Sequence, residues 1–234
     1  MLLAGDLGAT KTLLGLFDLV DGRPTAVEVR RYETHAFASG TALLDQFWQD
    51  IGRGAPVAAA GFGVAGPVVG DTVRLTNVPW TATVAELQAA CLGAPVAVVN
   101  DVAAIAHSLD VLDAGDLVTL QPGHRIPLAP VSILAVGTGL GAATVVRIDG
   151  RRVVLPSETG HADFSPRSDI DVTVLQALRR ARGRVAIEDV GSGTGLAAIY
   201  DVLHDGQRCQ TVGDRARADR SEEHTSELQS RLHL

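Results

Sequence analysis

The chain has 234 residues, a net charge of −7, 46% hydrophobic residues and only 4% aromatic ones. That is enough apolar material for one large or two small domains, and an acidic, aromatic-poor chain excludes a nucleic-acid binder that works by phosphate contacts or base stacking. Cys91 and Cys209 form no CxxC pair, so neither a disulfide framework nor a zinc knuckle is expected.

Met1–Asp6 lacks a basic n-region, and Asp6 interrupts the apolar run at once, so no signal peptide is read. No stretch approaches the roughly 18 apolar residues of a membrane span. The expectation is a reduced, cytoplasmic protein with no nucleic-acid or membrane partner. Leu2–Gly5, Thr12–Val20 and Thr25–Tyr32 read as strands, the last two joined across Asp21-Gly22-Arg23 as a hairpin. Leu43, Phe47 and Ile51, with Leu44 and Trp48 beside them, predict an amphipathic helix over 41–52. Pro56–Phe62 reads as a buried strand and Val68–Leu75 as a hairpin around Gly70-Asp71. Thr83-x-x-Glu86 is a capping box opening a helix to about Leu92. Val96–Val99 is a strand running into Asn100-Asp101 and a helix over Val102–Leu109.

A Pro- and Gly-rich loop spans 121–130. Ser132–Val136, 142–148 and 152–155 are the next strands. Ser168 caps a helix over Asp169–Arg180, whose acidic start and basic end suit its dipole. Gly191–Gly195 introduces a helix ending near Leu203. From Asp205 to Leu234 the chain is polar and without apolar periodicity, and it reads as disordered. Alternating strands and helices before it argue an α/β fold.

Five motifs carry chemistry. Asp6-Leu7-Gly8-Ala9-Thr10-Lys11-Thr12 lies between two strands, where backbone amides can converge on an anion and Thr10 and Thr12 add hydroxyls. An aspartate there can hold magnesium through its waters. It is not a P-loop, since Thr10 stands at the second glycine and a strand follows, and an ordinary β-turn explains it equally well. Gly61-Phe62-Gly63-Val64-Ala65-Gly66 matches a dinucleotide fingerprint, but Pro67 and a hairpin stand where the helix should begin. Gly137-Thr138-Gly139-Leu140-Gly141 is a second candidate phosphate cradle, or a plain glycine-rich bend. Asn100-Asp101 ends a buried strand; an N-cap is the simpler reading of Asp101, and a base for a substrate hydroxyl the functional one. Glu158, His161 and Asp163, with Glu188 on a separate segment, are a thin metal set and a better fit to vicinal hydroxyls of a polyol, with a solvated loop cluster as the alternative.

The order of these motifs, together with Leu75-Thr76-Asn77-Val78-Pro79-Trp80 and Ser192-Gly193-Thr194-Gly195-Leu196, resembles the bacterial ATP-dependent glucokinases of the sugar kinase/actin/Hsp70 superfamily. The resemblance runs from about residue 2 to His204. It implies a ribonuclease H-like two-domain sugar kinase fold with mixed sheets flanked by helices: a small α/β domain over 1–101 and a large, incomplete one over 102–204. The related repressor/sugar-kinase branch carries a cysteine-rich zinc motif after its Gly-His pair, and no cysteine follows His161 until Cys209. The implied activity is phosphoryl transfer from ATP to the 6-hydroxyl of glucose, feeding glycolysis. Asp101 would then be the base, and Asn100, Glu158, His161 and Glu188 would bind the other hydroxyls. Asp6, Gly8, Ala9, Thr10 and Lys11 on one side, and Gly137, Thr138 and Gly139 on the other, would cradle the phosphates, with Asp6 near Mg2+. The domains would close over the cleft. Glucose is the implied partner, and a homodimer is compatible with this.

Two departures from the family pattern stand out. Ala9 replaces the second glycine of Asp-x-Gly-Gly-Thr; if that position needs φ > 0, alanine costs about 1–2 kcal/mol and weakens ATP binding. The family also continues for roughly a hundred residues more. Here Ser221–Ser230 resembles a translated sequencing adaptor, so the expectation is a truncated frame with a spurious 205–234 tail that is aggregation-prone, with its activity left open. A sugar-binding regulatory protein without turnover and a nicotinamide-dependent enzyme using Gly61–Gly66 are the competing readings.

Overall fold

In the computed structural model, which describes residues 1–52, 56–75, 78, 80–124 and 126–204, the alternating apolar residues of the N-terminal segment form a five-stranded mixed sheet. Its strands are β1 (Leu2–Leu7), β2 (Lys11–Val20), β3 (Arg23–Glu33), β4 (Ala59–Val64) and, after the short strands β5 (Val68–Val69), β6 (Thr72–Arg74) and β7 (Thr81–Thr83), β8 (Val96–Asn100). The order is β3-β2-β1-β4-β8: β3, β2 and β1 run antiparallel, whereas β1, β4 and β8 are parallel. Helices α1 (Gly40–Asp50), α2 (Val84–Ala90) and α3 (Asp101–Ser108) connect and cover it. The described chain divides into two compact units, Met1–Pro122 and a second beginning at Gly123.

Period-2 burial explains the first unit's core. Leu3 and Leu7 of β1, Leu14 and Leu16 of β2, and Phe62 and Val64 of β4 pack with Leu43, Leu44, Phe47 and Trp48 of α1. Trp48 is 1% exposed, and its indole N–H donates to Ala90 O at 2.8 Å, tying α1 to the end of α2. Truncating it removes both the ring and that bond. Trp48→Ala is therefore expected to lower the unfolding free energy by about 3–5 kcal/mol in urea titrations; a loss under about 1 kcal/mol would contradict this packing.

Gly61 and Gly63 alternate with Phe62 and so face the other side of the sheet, where α3 packs: a Cβ on Gly63 would sit 3.0 Å from the Ala104 Cβ. The dinucleotide-like pattern is therefore a strand that lets a helix approach, not a phosphate turn. The nicotinamide reading loses its motif.

In the second unit, β9 (Val131–Val136), β10 (Leu140–Ile148) and β11 (Arg151–Ser157) form an antiparallel sheet in the order β11-β10-β9. Both long hairpins turn on Asp-Gly pairs with left-handed backbone, Asp21-Gly22 and Asp149-Gly150. Helix α4 (Asp169–Arg182) starts in a capping box between Ser168 and Asp171, and Val174 and Leu178 on it form a small core with Val185. Helix α5 (Gly193–Leu203) packs Ala198, Ile199 and Val202 against that core.

The expected elements form, with informative differences. Strand β4 is Ala59–Val64 rather than Pro56–Phe62. Strand β7 is three residues long, too short for an alternating pattern to announce it. Among the described residues, four 3₁₀ turns, Thr34–Ala36, Ala114–Asp116, Thr159–His161 and Ile187–Asp189, carry no periodic signal either. Thr76, Asn77 and Pro79 of the Leu75–Trp80 motif, and the expected disordered tail over 205–234, lie outside the described residues. Among the described residues, no helix is long and apolar enough to cross a membrane.

Candidate functional site

The C-terminal ends of the parallel strands align in the first unit. Leu7 pairs with Val64 and Val64 with Asn100, so the chain leaves β1 and β8 at one sheet edge, two strand spacings or about 10 Å apart. Open α/β sheets place ligands at this edge. Asp6 lies within β1, opposite Leu13 and Gly63, and not in the turn itself. The turn is only Gly8, Ala9 and Thr10, closed by Gly8 N–H donating to Lys11 O at 3.1 Å. A Cβ on Gly8 would lie 2.6 Å from that same oxygen, so glycine is required there by close approach. Ala9 is not among the residues with positive φ, which removes the premise of the expected alanine penalty. Burial and Arg31 pull the Lys11 ammonium below its ordinary pKa, against the opposing pull of Asp6 and Glu33.

Thr12 is not a ligand donor, contrary to the expectation. It is 0% exposed, and its hydroxyl pairs with that of Thr34, also 0% exposed, at 2.9 Å. Thr34 in turn donates its hydroxyl to Gly8 O at 2.8 Å and its N–H to Thr10 O at 2.9 Å.

Asn100, not Asp101, is the N-cap of α3: its Oδ1 accepts from Val102 N–H at 3.0 Å and Ala103 N–H at 3.4 Å. Asp101 is the first helical residue, and its Oδ1 accepts from Val102 N–H at 2.8 Å. Burial raises the Asp101 carboxyl above its ordinary pKa, opposed by hydrogen bonds from Val102 and the Asn100 side chain. The cap thus leaves Asp101 as a partly buried carboxylate with basicity above that of a surface aspartate.

In the second unit, the Gly137–Gly139 bend rests on the start of α5. Gly193 N–H donates to Gly137 O at 2.8 Å, and the Thr194 hydroxyl donates to Thr138 O at 2.8 Å. The Gly137 amide closes the bend onto Gly139 O at 3.0 Å, and the Leu140 amide donates to Glu188 Oε2 at 3.3 Å. A Cβ on Gly139 would meet that Oε2 at 2.8 Å. His161 stands between two carboxylates, with Nδ1 at 3.0 Å from Glu188 Oε1 and Nε2 at 3.5 Å from Glu158 Oε2. Glu188 is 30% exposed and Glu158 90%, so the first is fixed in place and the second projects into solvent. Arg184 holds this loop, donating to Asp163 Oδ1 at 2.6 Å and His161 O at 2.8 Å. Among the described residues, no three His, Cys, Asp or Glu form a group able to hold a metal ion.

Within each unit the expected residues therefore come together: Asp6, the first turn, Asn100 and Asp101 at one sheet edge, and Glu158, His161, Glu188 and the Gly137–Gly139 bend in one cluster. Sequence reasoning missed Thr34 and Arg184, whose partners lie 26 and 21 residues away. The role of Thr194 was legible in part, through the Ser192–Leu196 motif.

The glucokinase family model matches residues 3–230 of this chain. A curated glucokinase of Nostoc sp. is 36% identical over 209 residues, covering 88% of this chain and 61% of the relative, so the chain spans about three-fifths of the length of such relatives. The crystal structure of a glucokinase from an Antarctic psychrotroph has a TM-score of 0.76 at 25% identity, covering 99% of this chain and 73% of that one. A Balamuthia mandrillaris glucokinase, crystallised with glucose, has a TM-score of 0.67 at 23% identity, over 99% of this chain and 70% of its own. The mixed α/β architecture is that of the sugar kinases.

Proposed function

Because the chain belongs to the glucokinase family, we propose that it binds glucose and ATP and transfers the γ-phosphoryl group to the glucose 6-hydroxyl. The observation that carries this reading is the partly buried Asp101 carboxylate at the sheet edge where the first turn also ends. Asp101 takes the proton of the 6-hydroxyl as that oxygen attacks phosphorus, and raised basicity suits a group that must accept it. Asn100, Glu158, His161 and Glu188 accept from and donate to the other hydroxyls, fixing the sugar in line. The Gly8–Lys11 and Gly137–Gly139 turns cradle the ATP phosphates: the Gly8 and Gly137 amides close the turns on themselves, and the amides of Ala9, Thr10, Lys11, Thr138 and Gly139, with the Lys11 ammonium, face the phosphates. Magnesium, which keeps several waters and takes few carboxylates, fits the single Asp6 carboxylate at the end of β1 and neutralises phosphate charge when bound. The protein acts in the cytoplasm, and a homodimer is compatible with the reading.

A calorimetric titration with glucose, repeated with Mg-ATP, tests it. Saturable glucose binding that is lost in Asp101→Ala and Glu158→Ala supports the assignment. Folded protein that takes up no glucose overturns it. Glucose uptake with no nucleotide affinity favours a sugar-binding regulator without turnover.

A further inference from the structure

The Gly8–Thr10 turn has one hydrogen bond of its own, from Gly8 N–H to Lys11 O, and its Gly8 and Thr10 carbonyls are both taken by one residue outside it. That residue, Thr34, begins a 3₁₀ turn at the end of β3 and is fully buried. A hydroxyl carries one proton; because that of Thr34 goes to Gly8 O, the Thr12 hydroxyl is the donor in the 2.9 Å contact between the two threonines. The result is a directed chain, Thr12 O–H to Thr34 O–H to Gly8 C=O, in which each bond polarises the next. Among the described residues, no buried side-chain polar atom lacks a partner. In a planar trans peptide the N–H points away from the carbonyl. Drawing Gly8 C=O and Thr10 C=O toward Thr34 therefore turns the Ala9 and Lys11 N–H groups the opposite way, where both can face one anion.

We propose that Thr34 is the positioning residue of nucleotide binding: from inside the fold, and without touching ligand, it orients the Ala9 and Lys11 amides toward the phosphates. This rests on the phosphate reading of the first turn.

The test uses the whole chain and compares Thr34→Val, which keeps shape and removes the hydroxyl, with Thr34→Ser, which keeps the hydroxyl. Thr12→Val is the control, since it leaves the Thr34-to-Gly8 bond intact. Titrations with AMPPNP plus magnesium and, separately, with glucose are read beside amide hydrogen exchange at Gly8. Thr34→Val is expected to weaken AMPPNP binding at least tenfold, to leave glucose affinity within twofold, and to speed Gly8 exchange at least tenfold. Thr34→Ser restores all three readings, and Thr12→Val stays within threefold of wild type. Should Thr34→Val not fold, Thr34→Ala carries the same readings without a methyl against the freed Thr12 hydroxyl. Unchanged Gly8 exchange, or equal loss of nucleotide and glucose affinity, overturns the role of Thr34. A wild-type chain that takes up glucose but no AMPPNP overturns instead the phosphate reading of the turn.

Discussion

Asp101→Asn is expected to lower glucose-dependent ATP turnover by about 10²–10⁴-fold, the usual contribution of a positioned general base, while glucose still binds. Asparagine preserves the acceptor for Val102 N–H and the start of α3, so the loss reports proton transfer and not collapse of the helix. The burial that raises the Asp101 pKa has a cost in stability. Its folded-state pKa is raised above that of an unfolded aspartate, so ionisation in the fold is penalised. The penalty is fully present above the raised pKa and disappears as pH falls through it toward the ordinary aspartate value of about 4. At neutral pH the neutral asparagine escapes it, and Asp101→Asn should keep or slightly raise the melting temperature as it lowers turnover. A base must be ionised to act, so on the proposed role the acid limb of the turnover profile is expected to lie above the ordinary aspartate range. Turnover above one-tenth of wild type in a folded Asp101→Asn protein would remove Asp101 from the chemistry.

Glu188→Ala should weaken glucose binding by about 100-fold in calorimetry, corresponding to about 2.7 kcal/mol. That lies within the range for losing a charged hydrogen-bond partner, and here two partners lose it together: His161 Nδ1 at 3.0 Å and the Leu140 amide at 3.3 Å. The carboxylate both orients the imidazole and fastens the chain just after the Gly137–Gly139 bend. Gly139→Ala tests this from the other side. A methyl 2.8 Å from Glu188 Oε2 displaces the carboxylate whose other oxygen meets His161, so glucose affinity is expected to fall about tenfold. Were Gly139 only a phosphate cradle, the same variant would weaken nucleotide binding and leave glucose untouched.

Much of this protein was legible from residues that act on near neighbours. Asp21-Gly22 set a hairpin, Thr83 with Glu86 and Ser168 with Asp171 opened helices, and alternation marked the strands. The ordered glycine, asparagine–aspartate and glutamate–histidine motifs were enough to identify the family. Two local readings came out differently. Asp101 had the composition of an N-cap, but Asn100 one residue earlier already supplies the acceptor. Thr12 had the composition of a ligand donor, but strand alternation turns it inward onto Thr34.

Sequence by itself determined the elements, their caps and turns, and the order of the chemistry-bearing motifs, because those signals operate between residues a few positions apart. Only the tertiary structure decided which groups hold the motifs in shape. Thr34 reaches Gly8 across 26 positions, and Glu188 reaches Leu140 across 48. Such pairs are selected by the pairing of β2 with β3 and by the packing of the Ile187–Asp189 turn beside β10. A buried hydroxyl or carboxylate then takes whichever carbonyl or amide the folded backbone brings within reach, since leaving either one unpaired costs more than any local preference can return.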